Sequence, residues 1–284
     1  MALINKVAII TGAASTIGAA IATKFVKNGA KVILADTRSC QGIADKLNED
    51  YKANHSGAEV EVARAKLCDV RDPFNILQAI DEAKKAYDGL HIFYNNAEVH
   101  YDDAPPIDYN IFKKTMAVNV ESVLASIKYA AAEMRRLNTD STNRGCILCT
   151  GTTDKVLLSG GMMPSAYSIS KTAVIDVVRA AATELASDGV RVHSISARYG
   201  LAPERSMLNQ TYPKANDTTL DAMFNKYKAT KVAIAEEVAN KAVELASNAG
   251  FSSMIEHELN VMIPRPSAPG EASDDSSVQS QTQG

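Results

Sequence analysis

Thr11-Gly12-Ala13-Ala14-Ser15-Thr16-Ile17-Gly18 stands between an apolar run, Val7 to Ile10, and a segment in which Ile17, Ala20, Ile21 and Phe25 recur at helical spacing. A glycine-bearing turn from a strand into a helix gathers backbone N–H groups and the positive end of the helix at one point, which suits the diphosphate of a dinucleotide. Gly29 sits where a C-terminal cap of that helix belongs, and Lys31 to Ala35 reads as the next strand. Asp36 closes it, roughly 20 residues beyond the loop, where a carboxylate accepts hydrogen bonds from ribose hydroxyls and repels a 2′-phosphate. NAD is the expected cofactor, in preference to NADP. Arg38 is near enough to complicate that preference, although an ordinary exposed arginine accounts for it equally simply.

The same alternation of short apolar runs and helix-period segments continues to about residue 263, with further strands expected at Val60 to Ala65, His91 to Tyr94, Cys146 to Cys149, Arg191 to Ser196 and Glu258 to Ile263. Repeated βα units predict an α/β fold: one Rossmann-type domain over residues 1–263, with a doubly wound, parallel, seven-stranded sheet. Residues 203–232 interrupt the rhythm of short connections and are expected to form a substrate lid. The stretch 264–284, rich in Pro, Ser, Gln and Gly, is expected to be a disordered tail.

Of 284 residues, 46% are hydrophobic and 22% charged, which suffices for a core. Thirty basic against thirty-three acidic residues give a net charge of −3, with no Lys/Arg-rich block, so nucleic acid is not an expected partner. The N-terminus enters a strand at once, and no apolar run reaches about 18 residues. No membrane association and a cytoplasmic location are expected. Cys146 and Cys149 have a metal-like spacing, but on a strand residues three apart face opposite sides; all four cysteines are read as core, with no metal site.

Tyr167 and Lys171 lie four apart in a helix expected over roughly 164–187, stacked one turn apart on one face. A free tyrosine ionises near about 10, so a base at neutral pH needs a neighbouring positive charge, and this spacing provides one. A plain surface pair on a helix is the alternative account. Together the TGxxxxxG loop, Asp69-Val70, Asn95-Asn96-Ala97, Asn119 and Tyr167-Ser168-Ile169-Ser170-Lys171 resemble the classical short-chain dehydrogenase/reductase family, over residues 5 to about 263, and most closely its plant enzymes of specialised metabolism. The resemblance implies that Tyr167, Lys171, Asn119 and Thr152 are catalytic. Asn119 would position a proton-relaying water, and Thr152, or failing it Thr153, would stand for the family's serine after the fifth strand; Ser159 is a more distant candidate. It also implies that Gly12, Ser15, Ile17, Gly18, Asp36, Asp69, Val70, Asn96, Tyr167, Lys171 and Gly200 bind the cofactor, Lys171 at the nicotinamide ribose. Without it, Asp69 reads as an N-cap ahead of Pro73, and the asparagine pair as a turn.

Some positions depart from the family's pattern. Thr16 replaces a glycine of the loop, and strain of roughly 1–2 kcal/mol is expected if its φ is positive, or a helix cap if it is not. Glu98 follows Asn95-Asn96-Ala97 where glycine is usual, Ala197-Arg198-Tyr199-Gly200 stands for Pro-Gly, Ala202 for a threonine, and Met262-Ile263-Pro264 for Asp-Gly-Gly. Three functions are therefore expected in order: an NAD-dependent dehydrogenase of a secondary or cyclic alcohol, a non-redox cyclase or isomerase like the nepetalactol cyclases, and a binding protein without catalysis. Met207, Leu208, Tyr212, Leu220, Met223 and Phe224 in the lid, with Leu157, Leu158, Met162 and Met163, suit an apolar terpenoid or phenolic substrate, or simply pack as core. His100 lies near the site's mouth or faces solvent. A homodimer or homotetramer through the helices near 108–136 and 164–187 is the oligomer the resemblance implies.

Overall fold

The computed structural model describes residues 1–55, 60–101, 108–138, 140, 142–151, 166–197, 217–247 and 256–259. β1 (Val7–Thr11), α1 (Thr16–Lys27), β2 (Lys31–Asp36), α2 (Gln41–Asn54), β3 (Ala63–Leu67), α3 (Pro73–Tyr87) and β4 (Ile92–Asn95) come first. They are followed by α4 (Tyr109–Met116), a π turn (Ala117–Glu121), α5 (Ser122–Leu137), β5 (Gly145–Gly151), α6 (Ala166–Leu185), a 3-10 turn (Ala186–Asp188), β6 (Val190–Ala197), α7 (Asp217–Ser247) and β7 (Glu256–Leu259). The strands form one seven-stranded sheet in the order β3-β2-β1-β4-β5-β6-β7, every neighbouring pair parallel. This is the expected doubly wound α/β sheet, and the order reverses between β1 and β4, where such sheets open a crevice at their carboxyl edge.

Strand residues alternate between two cores, one on each face. Ala8, Ile10, Val32, Leu34, Ile92, Leu148 and Ile195 meet Ile21 and Phe25 of α1 and Ile234 and Val238 of α7. Val7, Ile9, Ile33, Phe93, Ile147 and Val192 meet Ile76 and Ile80 of α3, Ile127 of α5 and Val174 and Val178 of α6. Each of the larger of these side chains contributes about 1.5–3 kcal/mol by burial, and because both faces are covered the strands read as continuous apolar runs. Cys146 belongs to the first core and Cys149 to the second, as their strand spacing requires. All four cysteines are buried, which pushes the Cys40, Cys68 and Cys146 thiols up to about 11 and Cys149 to about 12, so they stay protonated at neutral pH. Among the described residues no helix is long and apolar enough to cross a membrane, and no group of His, Cys, Asp or Glu forms a metal cluster.

Two strand boundaries differ from expectation. β3 begins at Ala63, not Val60, because Asn48 of α2 takes the backbone before the ladder: its Oδ1 accepts from Val62 and Ala63 N–H at 2.8 and 3.0 Å, and its Nδ2 donates to the Ala63 carbonyl. β7 is described over Glu256–Leu259 rather than from Glu258, its polar start aligned with Ser194 to Ala197 of β6. Residues 217–232 of the expected lid form the first half of a regular 31-residue helix. That helix contains neither Gly nor Pro and is rich in Ala, Lys and Glu, so propensity carries it unbroken. Residues 203–216 and the tail 264–284 lie outside the described residues.

His91, just before β4, accepts a hydrogen bond at Nδ1 from the Val7 amide at 3.1 Å, which requires a neutral ring. Burial, helped by the Lys6 charge, pulls it from 6.5 down to about 4. The unfolded chain takes up a proton below 6.5 that the folded chain refuses until about 4, so stability falls as pH drops through that window and levels off beneath it. His91→Asn keeps an acceptor for Val7 but cannot titrate. Urea melts at neutral pH and near about pH 4.5 should show a smaller acid loss in the variant than in the parent; equal losses would exclude His91 as a source of acid sensitivity.

Candidate active site

At the carboxyl end of β1 the chain turns back through Gly12, whose φ is +62°. A Cβ there would lie 2.8 Å from the Ala97 backbone, so only glycine lets the turn close against the loop after β4. At Gly18 a Cβ would collide with the Gly12 carbonyl. Ser15 caps α1, accepting from the Gly18 amide at 3.1 Å and donating to the Gly12 carbonyl at 2.8 Å. Thr16 is the first helical residue, exposed, and is not among the residues with positive φ, so it carries none of the strain weighed above; the cap is Ser15. Ile17 packs in the core, which leaves only its backbone to face a ligand.

Asn96 braces this loop. Its Nδ2 donates to the Gly12 carbonyl and to Ser15 Oγ, at 3.0 and 3.1 Å, while its Oδ1 accepts from Thr150 Oγ1 at 3.2 Å. Thr11 Oγ1 accepts from the Asn96 and Ala97 amides and donates to the Tyr94 carbonyl. Asn96 thus ties the ends of β1, β4 and β5 together, with its side chain spent on the scaffold.

Asp36 is 7% exposed. One carboxylate oxygen accepts from the Ala14 amide and the other from the Arg38 amide, both at 2.9 Å. The Arg38 guanidinium, 67% exposed, lies 3.5 Å from it. Asp69 is held by Arg71 through Nε at 3.0 and 3.1 Å and Nη2 at 2.5 Å, and this hydrogen bonding keeps its carboxyl below the ordinary range. Asp69 is not the cap of α3; Asp72 is, accepting from the Phe74 amide at 3.0 Å. Val70 is buried beside it.

Tyr167 and Lys171 share one face of α6, both buried, with Nζ 5.6 Å from the phenol centroid. Lys171 Nζ donates to the Thr150 carbonyl at 3.0 Å and lies 2.5 Å from Glu98 Oε2. The Tyr167 hydroxyl donates to the same Oε2 at 3.2 Å, and the His100 ring meets the Tyr167 ring edge-on at 5.0 Å. Asn119 sits in the π turn between α4 and α5, a helix irregularity frequent at functional sites. Its Nδ2 donates to the Val99 carbonyl and Ser170 Oγ, and its Oδ1 accepts from the Val99 amide. Asn119 therefore locks the loop after β4 to the helix bearing Tyr167. Thr152, Thr153, Ser159, Arg198, Gly200 and Ala202 lie outside the described residues.

Glu98 is the member of this cluster that sequence reasoning missed. In sequence it stands out only as a lost glycine, because the contact joins residues 69 positions apart that the fold alone brings together. The first half of a dinucleotide suits the loop: a buried carboxylate ends β2, and the amino end of α1 stands at the sheet's carboxyl edge. At the second half, Lys171 already has two partners.

A family profile described as enoyl-(acyl carrier protein) reductase matches residues 12–257. The chain is 32% identical over 270 residues to the short-chain dehydrogenase reductase ATA1 of Arabidopsis thaliana, covering 91% of this chain and 92% of that one. It is 31% identical over 252 residues to the (+)-cis,trans-nepetalactol synthase NEPS1 of Nepeta racemosa, covering 86% and 85%. A short-chain dehydrogenase/reductase crystal structure from Mycobacterium marinum superposes with a TM-score of 0.69 at 24% identity, covering 91% of this chain and 94% of that one. The chain belongs to the short-chain dehydrogenase/reductase family and is by membership an oxidoreductase-type enzyme. Its Rossmann fold is of the kind that typically binds a nicotinamide dinucleotide.

Proposed function

We propose that the chain is an NAD-dependent oxidoreductase acting on a secondary or cyclic alcohol, or its carbonyl, in an apolar terpenoid or phenolic plant metabolite. The observation that carries this reading is the burial of Tyr167 beside Lys171 at the carboxyl edge of the sheet, opposite a glycine-bearing loop that faces the same crevice. The Tyr167 oxygen exchanges a proton with the substrate oxygen, Lys171 keeps positive charge beside it, Thr152 donates a hydrogen bond to the substrate, and Asn119 holds the reacting helix in register and serves the proton relay. Gly12, Ser15, Gly18 and the Ile17 backbone would hold the diphosphate, Asp36 the adenine ribose, Asp69, Val70 and the Asn96 backbone the adenosine side, and Gly200 the nicotinamide side. When bound, the nicotinamide supplies the hydride acceptor or donor. Asp36 favours NAD over NADP by charge, against the opposing pull of Arg38.

A second, non-redox reading, cyclase or isomerase with NAD as a structural group, is favoured by the Glu98 carboxylate on Lys171 and by the likeness to a nepetalactol synthase. The test is calorimetric titration with NAD and NADP, then a panel of cyclic terpenoid alcohols and dialdehydes followed for NADH absorbance and new products together. NAD binding with NADH formation supports the first reading. Product without any change at the nicotinamide moves the enzyme to the second, and binding of NADP alone would overturn the assignment of Asp36. A homodimer or homotetramer, through α4–α5 and α6, and a cytoplasmic location complete the proposal; exposed Tyr109 and Leu124 are apolar surface that such an assembly would cover, and light scattering measures its mass.

A further inference from the structure

A lysine ammonium has three donors. At Lys171, which is only 3% exposed, one goes to the Thr150 carbonyl and a second to Glu98 Oε2. Charge-assisted contacts of this kind are the strong ones, and a buried ammonium gives them up reluctantly. The placement of the Glu98 carboxylate is not that of a loose loop, since the backbone on both sides is tied down. The Ala97 amide donates to Thr11 Oγ1, and Val99 exchanges two hydrogen bonds with the Asn119 side chain. The Glu98 side chain, bonded to Lys171 and Tyr167, is 29% exposed, so it can rotate outward while the tied backbone stays in place.

A dinucleotide with its adenosine end at Asp36 on β2 and its diphosphate at the amino end of α1 extends its second nucleoside across the ends of β4 and β5. There Lys171 stands against Thr150, and the hydroxyls of that nucleoside's ribose seek the donors Glu98 already holds. We infer that Glu98 is a built-in competitor for the nicotinamide half of the cofactor: its carboxylate occupies Lys171, and that half binds only when Glu98 is displaced. This rests on the dinucleotide reading proposed above. Glu98 thereby sets how tightly the nicotinamide end is held while leaving the ADP end untouched.

The experiment compares ADP with NAD by calorimetry on the full chain, as wild type, Glu98→Gln and Glu98→Ala. In the wild type NAD should bind little more tightly than ADP. In Glu98→Ala the affinity for NAD should rise by about tenfold or more, the order of one hydrogen bond to a charged group, with ADP unchanged. Glu98→Gln keeps a hydrogen-bonding partner for both Tyr167 and Lys171 and so guards against a folding defect; its NAD affinity should rise by a smaller factor. Wild-type NAD binding much tighter than ADP, with no gain or a loss in both variants, overturns the inference while leaving the NAD reading intact. Binding of neither ADP nor NAD to any of the three folded proteins overturns both.

Discussion

Tyr167→Phe should abolish turnover while leaving the fold and dinucleotide binding in place. The ring stays in a packed site, 7% exposed, and what is removed is a hydroxyl whose bond to Glu98, at 3.2 Å, is long and reaches a side chain open to solvent. Loss of such a bond costs on the order of 1–2 kcal/mol of stability, a small part of the total. The reaction, in either the redox or the non-redox reading, loses the group that moves the proton, and general acid–base catalysis contributes roughly 10²- to 10⁴-fold. The check is kcat alongside the melting temperature and the NAD affinity of the same preparation. A variant that turns over at the parental rate would remove Tyr167 from the chemistry. A variant with low turnover and equally lost NAD affinity would make the tyrosine a cofactor ligand first.

The sheet was legible because parallel strands covered on both faces leave uninterrupted apolar runs, and Val7 to Ile10 or Cys146 to Cys149 show no alternation to confuse with anything else. β3 was placed early because, as an edge strand, its half-exposed residues give little apolar signal, and its start depends on Asn48 from another element. The long connection over 203–232 signals a lid but not that its later part runs on as one helix, although no residue from 217 to 247 interrupts one. At the site, Gly12 and Gly18 were legible from spacing, since their role is backbone clearance that nothing else provides. Lys171 was legible from its distance to Tyr167. Glu98 was not, because its importance lies in where a flexible side chain reaches across the crevice, and spacing along the chain does not encode that. The π turn at Asn119 was equally hidden, as were its side-chain bonds to Val99 and to Ser170 on a different helix, partners that spacing along the chain does not show.

Gly12→Ala should be strongly destabilising. Two independent costs add at this residue. A φ of +62° adds about 1–2 kcal/mol for any residue with a Cβ, and the new carbon would lie 2.8 Å from Ala97 Cα and N and 2.9 Å from the Asn96 carbonyl. These are backbone atoms, anchored by Thr11 Oγ1, and they cannot turn aside as a side-chain tip would. Overpacking of this kind costs about 1–3 kcal/mol. The sum is a large share of the roughly 5–15 kcal/mol that holds a domain together. Because the same contact ties Asn96 to Ser15 and Thr150, the damage extends to the crevice, and ADP and NAD affinities should fall together, in contrast to the selective effect expected at Glu98. The chain has no tryptophan, so urea unfolding is followed by far-ultraviolet circular dichroism. A midpoint unchanged from the parent would mean that the loop after β4 yields easily, and that the close approach at Gly12 is not what shapes the binding crevice.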